Sequence, residues 1–200
     1  MIAASPLHCL HPSNALTYAS LLAAVSALVF AADSRTGPAA ALIASAVILD
    51  TFDGRFARLF RRSEMQRALG GQLDSLSDAI AFGIVPPVCV ALASSTPLHL
   101  AWGAAAFLFA AAAISRLAFY NVVHEDGTGF VGVPAPVAAL IWTTAMLTSP
   151  GAATSAAVFI ATAILMVMPI SIPRPRGLAL GAFVCWPVLI IAAHVARSMS

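Results

Sequence analysis

Long apolar runs separated by short polar breaks constrain this chain more than any other feature of its sequence. A run of about 20 apolar residues is long enough to cross a bilayer as a helix. Hydrophobic residues make up 60% of the chain and charged residues only 9%, whereas a soluble domain carries about a quarter charged residues. The sequence therefore predicts an all-α, multi-pass integral membrane helix bundle.

The breaks between the apolar runs divide the chain into seven predicted helical spans. These are residues 16–32, 39–59, 72–94, 98–119, 133–147, 152–168 and 178–196. No polar stretch between them is long enough for a separate soluble domain, so we expect one domain over residues 1–200.

The basic residues are all arginines, and their positions predict the orientation of the bundle. Cytoplasmic loops of membrane proteins carry an excess of basic residues. A cytoplasmic N terminus leaves only Arg35 and Arg197 facing outward, and it puts the other arginines inside. These are Arg55, Arg58, Arg61, Arg62, Arg67, Arg116, Arg174 and Arg176. Since the central arginine cluster lies between membrane helices, we expect no nucleic-acid partner.

The cysteines and histidines suggest no site of their own. Cys9, Cys89 and Cys185 are far apart, which disfavours disulfides and thiolate metal sites. The five histidines show no mutual spacing typical of a site, and His124 is a minor candidate only because it follows Asn121.

Four aspartates lie in or against apolar spans, where a charged side chain costs about 2.5 to 3.5 kcal/mol near the bilayer centre. Asp50 and Asp53 are three residues apart, and Asp74 and Asp78 are four apart. Each pair therefore shares one face of its helix. A polar hairpin joins the two helices, so the pairs can face each other.

Four converging carboxylates repel one another unless a cation lies between them. An all-carboxylate set of ligands suits Mg²⁺ or Mn²⁺ better than zinc. The alternative interpretation is that these aspartates cap helix ends or pair with Arg55, Arg58 and Arg61. The matched helical spacing of the two pairs favours a metal site.

The order of these residues resembles the signature of the CDP-alcohol phosphotransferase family, DxxDGxxAR followed by GxxxDxxxD. The matching positions are Asp50, Asp53, Gly54, Ala57, Arg58, Gly70, Asp74 and Asp78. The eleven residues between Arg58 and Gly70 are more than this family usually has. The resemblance implies a six-helix family core, with about one extra helix at the C terminus of this chain.

Three flanking segments resemble the phosphatidylserine synthases within that family. They begin at Leu73, Ser115 and Phe130. Residues 12–17 also look like the family's entry to its first helix, so the resemblance covers roughly residues 12–177. Phe119 replaces the second arginine of the middle segment, so an acceptor contact made there would be missing.

The resemblance implies an enzyme that transfers a phosphatidyl group from CDP-diacylglycerol to L-serine, within membrane lipid and as a homodimer. It implies two divalent ions, Mg²⁺ or Mn²⁺, at the cytoplasmic membrane boundary, held by Asp50, Asp53, Asp74 and Asp78. Asp78 is also the candidate general base. The expected donor-binding residues are Pro12, Asn14, Thr17, Gly54, Ala57, Arg58 and Gly70, and the expected acceptor-binding residues are Arg116 and Asn121.

Other interpretations stay open from the sequence. The acceptor could be inositol phosphate or glycerol phosphate, since the hairpin arginines with Arg174 and Arg176 could bind a second phosphate. The donor could be an archaeal lipid analogue. A carrier that uses membrane carboxylates is the alternative from another class. Arg116 could also merely extend its side chain to the membrane surface.

Overall fold

The computed structural model describes residues 5, 7, 10–94, 100–123, 130–173, 175 and 177–199. Within them the chain is almost entirely helical. The helices are α1 (Ala15–Ala32), α2 (Thr36–Ala57), α3 (Glu64–Asp78), α4 (Val85–Ala93), α5 (Leu100–Val123), α6 (Ala135–Ala145), α7 (Ala152–Val167) and α8 (Leu178–Met199). A π-helical segment, Ala79–Ile84, joins α3 to α4, and 3-10 turns occupy Pro12–Asn14 and Met146–Thr148.

The all-α membrane bundle predicted from the sequence is confirmed. Four described helical segments are long and apolar enough to cross a bilayer: Pro12–Ala32, Glu64–Ala93, Leu100–Val123 and Leu178–Ser198. The segments Ala135–Thr148 and Ala152–Val167 are shorter apolar helices. Large apolar side chains such as Leu22 and Phe107 lie exposed on the outside, where a bilayer would cover them.

Each predicted span corresponds to one helical segment, and two bounds differ from the prediction by more than a helical turn. The third segment begins at Glu64 rather than at residue 72, because Ser63 and Gln66 cap its start reciprocally. Hydropathy marks only the apolar part of this helix and misses its polar first turns. The fourth segment ends at Val123 rather than at residue 119.

Small residues pack α1 against α2. Ala24, Ala27 and Ala31 are fully buried on α1, and Ala40 and Ala44 are fully buried on α2. Such residues let helices approach closely inside a bilayer, where packing rather than hydrophobicity drives association. Helix α2 also contacts α4, α6 and α8. The helix that carries the first two aspartates is therefore held on several sides.

An aromatic layer joins α5, α6 and α7. The ring of Phe159 lies 4.9 Å from that of Phe109 and 6.1 Å from that of Trp142, which stacks on it. All three side chains are fully or almost fully buried. Because aromatic pairs stabilise a core beyond the area that they bury, this layer fixes α5 relative to α6 and α7.

The π-helical segment follows directly after Asp78 and precedes Pro86 and Pro87. A proline lacks a backbone N–H and its ring clashes with the carbonyl four residues earlier. The wider turn relieves this crowding, and the Val85 N–H bonds to the carbonyl five residues back, at Ile80. A Cβ added to Gly83 would lie 3.1 Å from the Cβ of Ala113 on α5. Gly83 therefore lets α5 come close to the π-helical segment.

A short antiparallel ladder joins the segment before α6 to the segment after α7. Strand β1 (Phe130–Val131) pairs with β2 (Ser171–Ile172), with Phe130 opposite Ile172. The next two amides donate to carbonyls, Gly132 to Ile170 at 2.8 Å and Val133 to Leu165 at 3.0 Å. We call residues 130–133 with residues 170–172 the clasp.

Gly132 is essential to the geometry of the clasp. Its φ of +71° lies in the left-handed region, which non-glycine residues adopt only at a cost. A Cβ there would also overlap the Met166 carbonyl oxygen near the end of α7. The clasp therefore lies directly on the backbone of α7.

Candidate metal and substrate site

The four aspartates converge as their spacing predicted. One carboxylate oxygen each from Asp50, Asp74 and Asp78 lies within 4.8 Å of the other two. Asp50 and Asp78 are close enough to hydrogen-bond, and so are Asp53 and Asp74. We call these four residues the carboxylate cluster. It lies between the C-terminal part of α2 and the last turns of α3.

Asp53 occupies a different position from the other three aspartates. It is buried, and its Oδ2 accepts a hydrogen bond of 3.1 Å from the Thr17 hydroxyl on α1. The three mutually close oxygens come from Asp50, Asp74 and Asp78. Asp53 therefore links the cluster to α1, and Thr17 contacts the cluster through it.

Helix capping does not account for the cluster. The N-cap of α3 is Ser63 and that of α2 is Arg35, so neither helix uses an aspartate there. Asp78 leads without a break into the π-helical segment. The carboxylates therefore lie within continuous helix, where they have no backbone N–H groups to cap.

The cluster fits a divalent cation. Its ligand atoms are all carboxylate oxygens, which hard cations such as Mg²⁺ and Mn²⁺ prefer. The Oδ1 atom of Asp74 is buried and has no hydrogen-bond partner, and a buried polar atom without a partner costs about 1 to 3 kcal/mol. A bound cation would satisfy this atom and offset the repulsion among the carboxylates.

The N-terminal turn brings several predicted donor-binding residues to the cluster. Pro12 begins the 3-10 turn, and Asn14 at its end is buried. The Asn14 Oδ1 atom lies 3.1 Å from the position of a Cβ on Gly70. A side chain at position 70 would therefore crowd Asn14, and glycine avoids this. Thr17 lies one turn further along α1.

The remaining donor-binding candidates lie at the end of α2. Gly54 is exposed, and a Cβ there would meet no atom within 4 Å. Ala57 is buried, whereas Arg58 is exposed. Open space beside Gly54, with the Arg58 side chain free to reach it, is suited to a flat polar ligand.

Arg116 lies inside the bundle. It is 7% exposed and stands two turns before the end of α5, so the interpretation that it extends to the membrane surface is wrong. Its Nε and Nη2 atoms are buried without a hydrogen-bond partner. The guanidinium lies 5.8 Å from the Tyr120 ring and 5.6 Å from the Phe130 ring. Asp78 is near enough to interact with it electrostatically.

Asn121 connects α5 to α3. Its Nδ2 donates to the Ser75 hydroxyl at 2.9 Å, and that hydroxyl can donate to the Gly71 carbonyl at 3.1 Å. Ser75 directly follows Asp74 in the sequence. Asn121 therefore positions α5 beside the carboxylate cluster.

A family model described as CDP-alcohol phosphatidyltransferase matches residues 10–170. The chain belongs to this family. Among the residues that the structure describes, the match encloses six helical segments, α1, α2, the continuous α3–α4 helix, α5, α6 and α7, and α8 lies beyond it. This agrees with the expectation of a six-helix family core and one extra C-terminal helix.

Similar proteins within the CDP-alcohol phosphatidyltransferase family are named for serine. A CDP-diacylglycerol–serine O-phosphatidyltransferase of Mycobacterium tuberculosis is 37% identical over 64% of this chain and 46% of its own length. An archaetidylserine synthase of Methanothermobacter thermautotrophicus is 32% identical over 76% of this chain and 64% of its own length. A Helicobacter pylori serine O-phosphatidyltransferase is 30% identical over 64% and 54%. The chain therefore spans about half the length of the mycobacterial and Helicobacter relatives.

The long hairpin within the family signature is mostly exposed, but Phe60 and Arg62 pack back against the bundle. The Phe60 ring lies 5.1 Å from that of Phe56 and 6.0 Å from that of His11. Arg62 reaches back, and its Nη1 lies 3.6 Å from the Cβ position on Gly70. The extra residues therefore hold the N-terminal turn and bring Arg62 close to it.

Three residues near the site were not assigned a role from the sequence. Ser77 is 3% exposed and its hydroxyl has no partner, and Tyr120 and Phe130 contact Arg116. Tyr120 follows Arg116 by four residues, a spacing that predicts contact on a helix. Phe130 begins a segment that resembles the phosphatidylserine synthases, but that resemblance does not indicate its contact with Arg116. Other residues considered from the sequence lie outside the described residues: Cys9, His8, His99, His124, Arg174 and Arg176.

Proposed function

We propose that this chain transfers a phosphatidyl group from CDP-diacylglycerol to L-serine, with release of CMP. The observation that carries the proposal is the juxtaposition of Arg116 with the carboxylate cluster. A buried guanidinium with two unpartnered donors interacts electrostatically with Asp78. A cation would balance the charge of the carboxylate cluster, and a carboxylate would pair with Arg116. A metal-bound nucleotide supplies the cation, and an amino-acid acceptor supplies the carboxylate.

The donor half of the proposed reaction uses α1, α2 and α3. Asp50, Asp74 and Asp78 would hold a divalent ion, with Asp53 at a second one, both Mg²⁺ or Mn²⁺. When bound, such ions neutralise charge on the pyrophosphate and on the departing CMP. The exposed Arg58 would clamp a phosphate with its planar fork of donors.

The nucleotide would lie against backbone rather than side chains. Open space beside Gly54 supports a position for the cytidine ribose there, next to Ala57 and Gly70. Pro12, Asn14 and Thr17 would line the other side, because Asn14 lies against Gly70 and Thr17 bonds to Asp53.

The acceptor half supports a carboxylate ligand. The Nε and Nη2 atoms form one edge of a guanidinium, and two parallel N–H groups on that edge match the two oxygens of a carboxylate. L-serine carries a carboxylate together with a hydroxyl that can attack. The names of the similar proteins from Mycobacterium tuberculosis and Methanothermobacter thermautotrophicus contain serine. Asn121 would be a polar neighbour of the bound acceptor.

The proposed chemical step is a direct displacement. The serine hydroxyl oxygen forms a bond to the phosphorus that bears diacylglycerol, and the bond from that phosphorus to the bridging oxygen breaks. CMP leaves with the electron pair, and Asp78 accepts the hydroxyl proton. Arg116 would hold the serine carboxylate so that the hydroxyl points towards the cluster.

A phosphorylated acceptor, such as inositol phosphate or glycerol phosphate, is the alternative within the family. It would bind best where several arginines converge, and Arg116 is the arginine placed beside Asp78. An archaeal lipid donor is compatible with the same site, since one relative is named an archaetidylserine synthase. A carrier function lacks comparable support.

We further propose one catalytic domain that faces the cytoplasm and forms homodimers in the membrane. The orientation rests on the arginine-rich hairpin between α2 and α3. The dimer rests on the family resemblance alone.

The test is an assay of CMP release from CDP-diacylglycerol by the full chain in detergent or liposomes. We expect release that requires both L-serine and Mg²⁺ or Mn²⁺. Release that ignores serine but responds to inositol phosphate or glycerol phosphate would replace the acceptor. A folded chain that releases no CMP with any acceptor would refute the enzymatic proposal.

A further inference from the structure

We propose that Phe130 is a positioning residue that sets the acceptor specificity of the site. The clasp holds the Phe130 ring against Arg116, so that one edge of the guanidinium is presented to the carboxylate of the acceptor. This inference rests on the proposed function. It gives a role in acceptor selection to a segment that lies far along the sequence from the family signature.

Two aromatic rings form a wall on one side of Arg116. The Tyr120 and Phe130 centroids are 5.7 Å apart, and each lies 5.6 to 5.8 Å from the guanidinium carbon. If the rings covered opposite faces of the guanidinium, their centroids would be about twice as far apart as each is from that carbon. Both rings therefore restrain the cation from the same side.

The wall restrains Arg116 without occupying its hydrogen-bond donors. An aromatic ring attracts a cation through its negative face and offers no carboxylate or carbonyl oxygen to the N–H groups. This agrees with the observation that Nε and Nη2 are buried but unpartnered. The two atoms share one edge, so the unused donors are arranged as a bidentate pair that fits a carboxylate.

The clasp, rather than a helix, fixes the position of Phe130. Phe130 pairs with Ile172 across the β1–β2 ladder, and the following two amides bond to Ile170 and Leu165. Gly132 lets this segment lie on the α7 backbone at Met166. The position of the ring therefore depends on contacts with the end of α7 and the chain that follows it.

An acceptor without a carboxylate would leave the Arg116 edge buried and unpaired. Sites built to hydrogen-bond a substrate group reject analogues that lack the group, because the site's own polar atoms then lose their partner. Ethanolamine is L-serine without its carboxylate, so it is the matched analogue. A less restrained Arg116 side chain should therefore bind L-serine more weakly, whereas the binding of ethanolamine should not change.

The experiment compares three variants of the full chain in the CMP-release assay. Phe130→Leu removes the ring, Phe130→Tyr keeps it, and Phe107→Leu removes an exposed ring of α5, nine residues before Arg116. We expect Phe130→Leu to raise KM for L-serine about tenfold. KM for CDP-diacylglycerol should not change, and the preference for L-serine over ethanolamine should fall by a similar factor. Phe130→Tyr and Phe107→Leu should resemble the wild type.

Equal changes in both KM values, a loss of kcat alone, or no change in Phe130→Leu would overturn the proposal. If Phe130→Leu melts at a lower temperature than the wild type, Phe130→Met replaces it, since Met fills similar space without a π face. The same expectation then applies.

The wild type separates this inference from the proposed function. A wild type that ignores L-serine but uses another acceptor overturns the choice of serine, and the KM for that acceptor then decides the role of Phe130. A wild type that releases no CMP with any acceptor overturns both. Serine-dependent release by the wild type with an unaffected Phe130→Leu overturns only the role of Phe130.

Discussion

The two halves of the site are built in different ways. The carboxylate cluster comes from two consecutive helical segments, α2 and α3, and from residues 50–78. The Arg116 half combines a side chain of α5 with a ring of β1 that is held on α7. The first half is encoded by spacing along helices, whereas the second depends on how distant segments of the chain meet.

The halves also leave opposite charges unsatisfied. Asp74 presents a buried oxygen without a partner, and Arg116 presents two buried nitrogens without partners. Buried polar groups are normally paired, so each half indicates a ligand of opposite charge to its own. This difference supports our proposal that a cation completes the first half and the carboxylate of the acceptor completes the second.

Asp78→Asn should separate the halves most strongly. We expect CMP release to fall by about 10³-fold with every acceptor, because the proposed base and a cation ligand are lost together. The melting temperature without metal should stay equal or rise, since one of several mutually repelling carboxylates is neutralised. Asp33→Asn, at an exposed residue beyond α1, is the control. A loss confined to one acceptor would contradict a role shared by all acceptors.

Arg116→Gln should affect only the acceptor half. We expect KM for L-serine to rise about a hundredfold, because truncating one partner of a buried charged pair removes most of its binding. KM for CDP-diacylglycerol should change little. Arg35→Gln provides a matched control, since Arg35 also lies over an aromatic ring, 4.7 Å from Phe30, but away from the site. A matching rise in both KM values would show that the halves are not separable.

Gly132→Ala should act on the acceptor half through the clasp. We expect the melting temperature to fall by about 5 °C and KM for L-serine to rise about tenfold, because a Cβ would overlap the Met166 carbonyl. Gly177→Ala has a similar positive φ, of +55°, but meets no atom within 4 Å. Gly177→Ala therefore measures the effect of backbone strain without steric overlap. The melting temperatures of the two variants in detergent are then compared. Equal effects would argue against the contact with α7.

Thr17→Val should have the smallest effect, and on the donor half. The variant keeps the shape of the side chain but loses the hydrogen bond to Asp53, so kcat should fall about fivefold. Ser20→Ala removes another α1 hydroxyl, which bonds to the Ala46 carbonyl instead, and should leave kcat unchanged. Steady-state kinetics at saturating L-serine provide the measurement. Unchanged kcat in Thr17→Val would place Asp53 outside the reaction.

The difference between the halves explains how much could be predicted from the sequence. Helical periodicity brought Asp50, Asp74 and Asp78 to one place, since residues three or four apart share a helix face. The apolar runs located the helices because length and hydropathy, like residue spacing, are local properties of the sequence. The position of Arg116 beside Asp78 was accessible only through the family resemblance.

The sequence could not predict features that depend on tertiary contacts. The polar start of α3 lay outside any apolar run, and the π-helical turn depends on Pro86 and Pro87 acting across a turn. Phe130 reaches Arg116 only because two strands of two residues pair, which is too short a pattern to recognise. The hydrogen bond of Asp53 to Thr17 could not be predicted either, because it depends on how α1 packs against α2.

The close contact of Gly83 with Ala113 sets a distance that matters for the chemistry. Ala113 lies three residues before Arg116 on α5, and Gly83 lies five residues after Asp78 on the continuous helix. Two small apolar residues thus act as the spacer between the groups that we assign to the two substrates. The length over which one substrate must reach the other is then fixed by a methyl group and a hydrogen atom, neither of which touches a substrate.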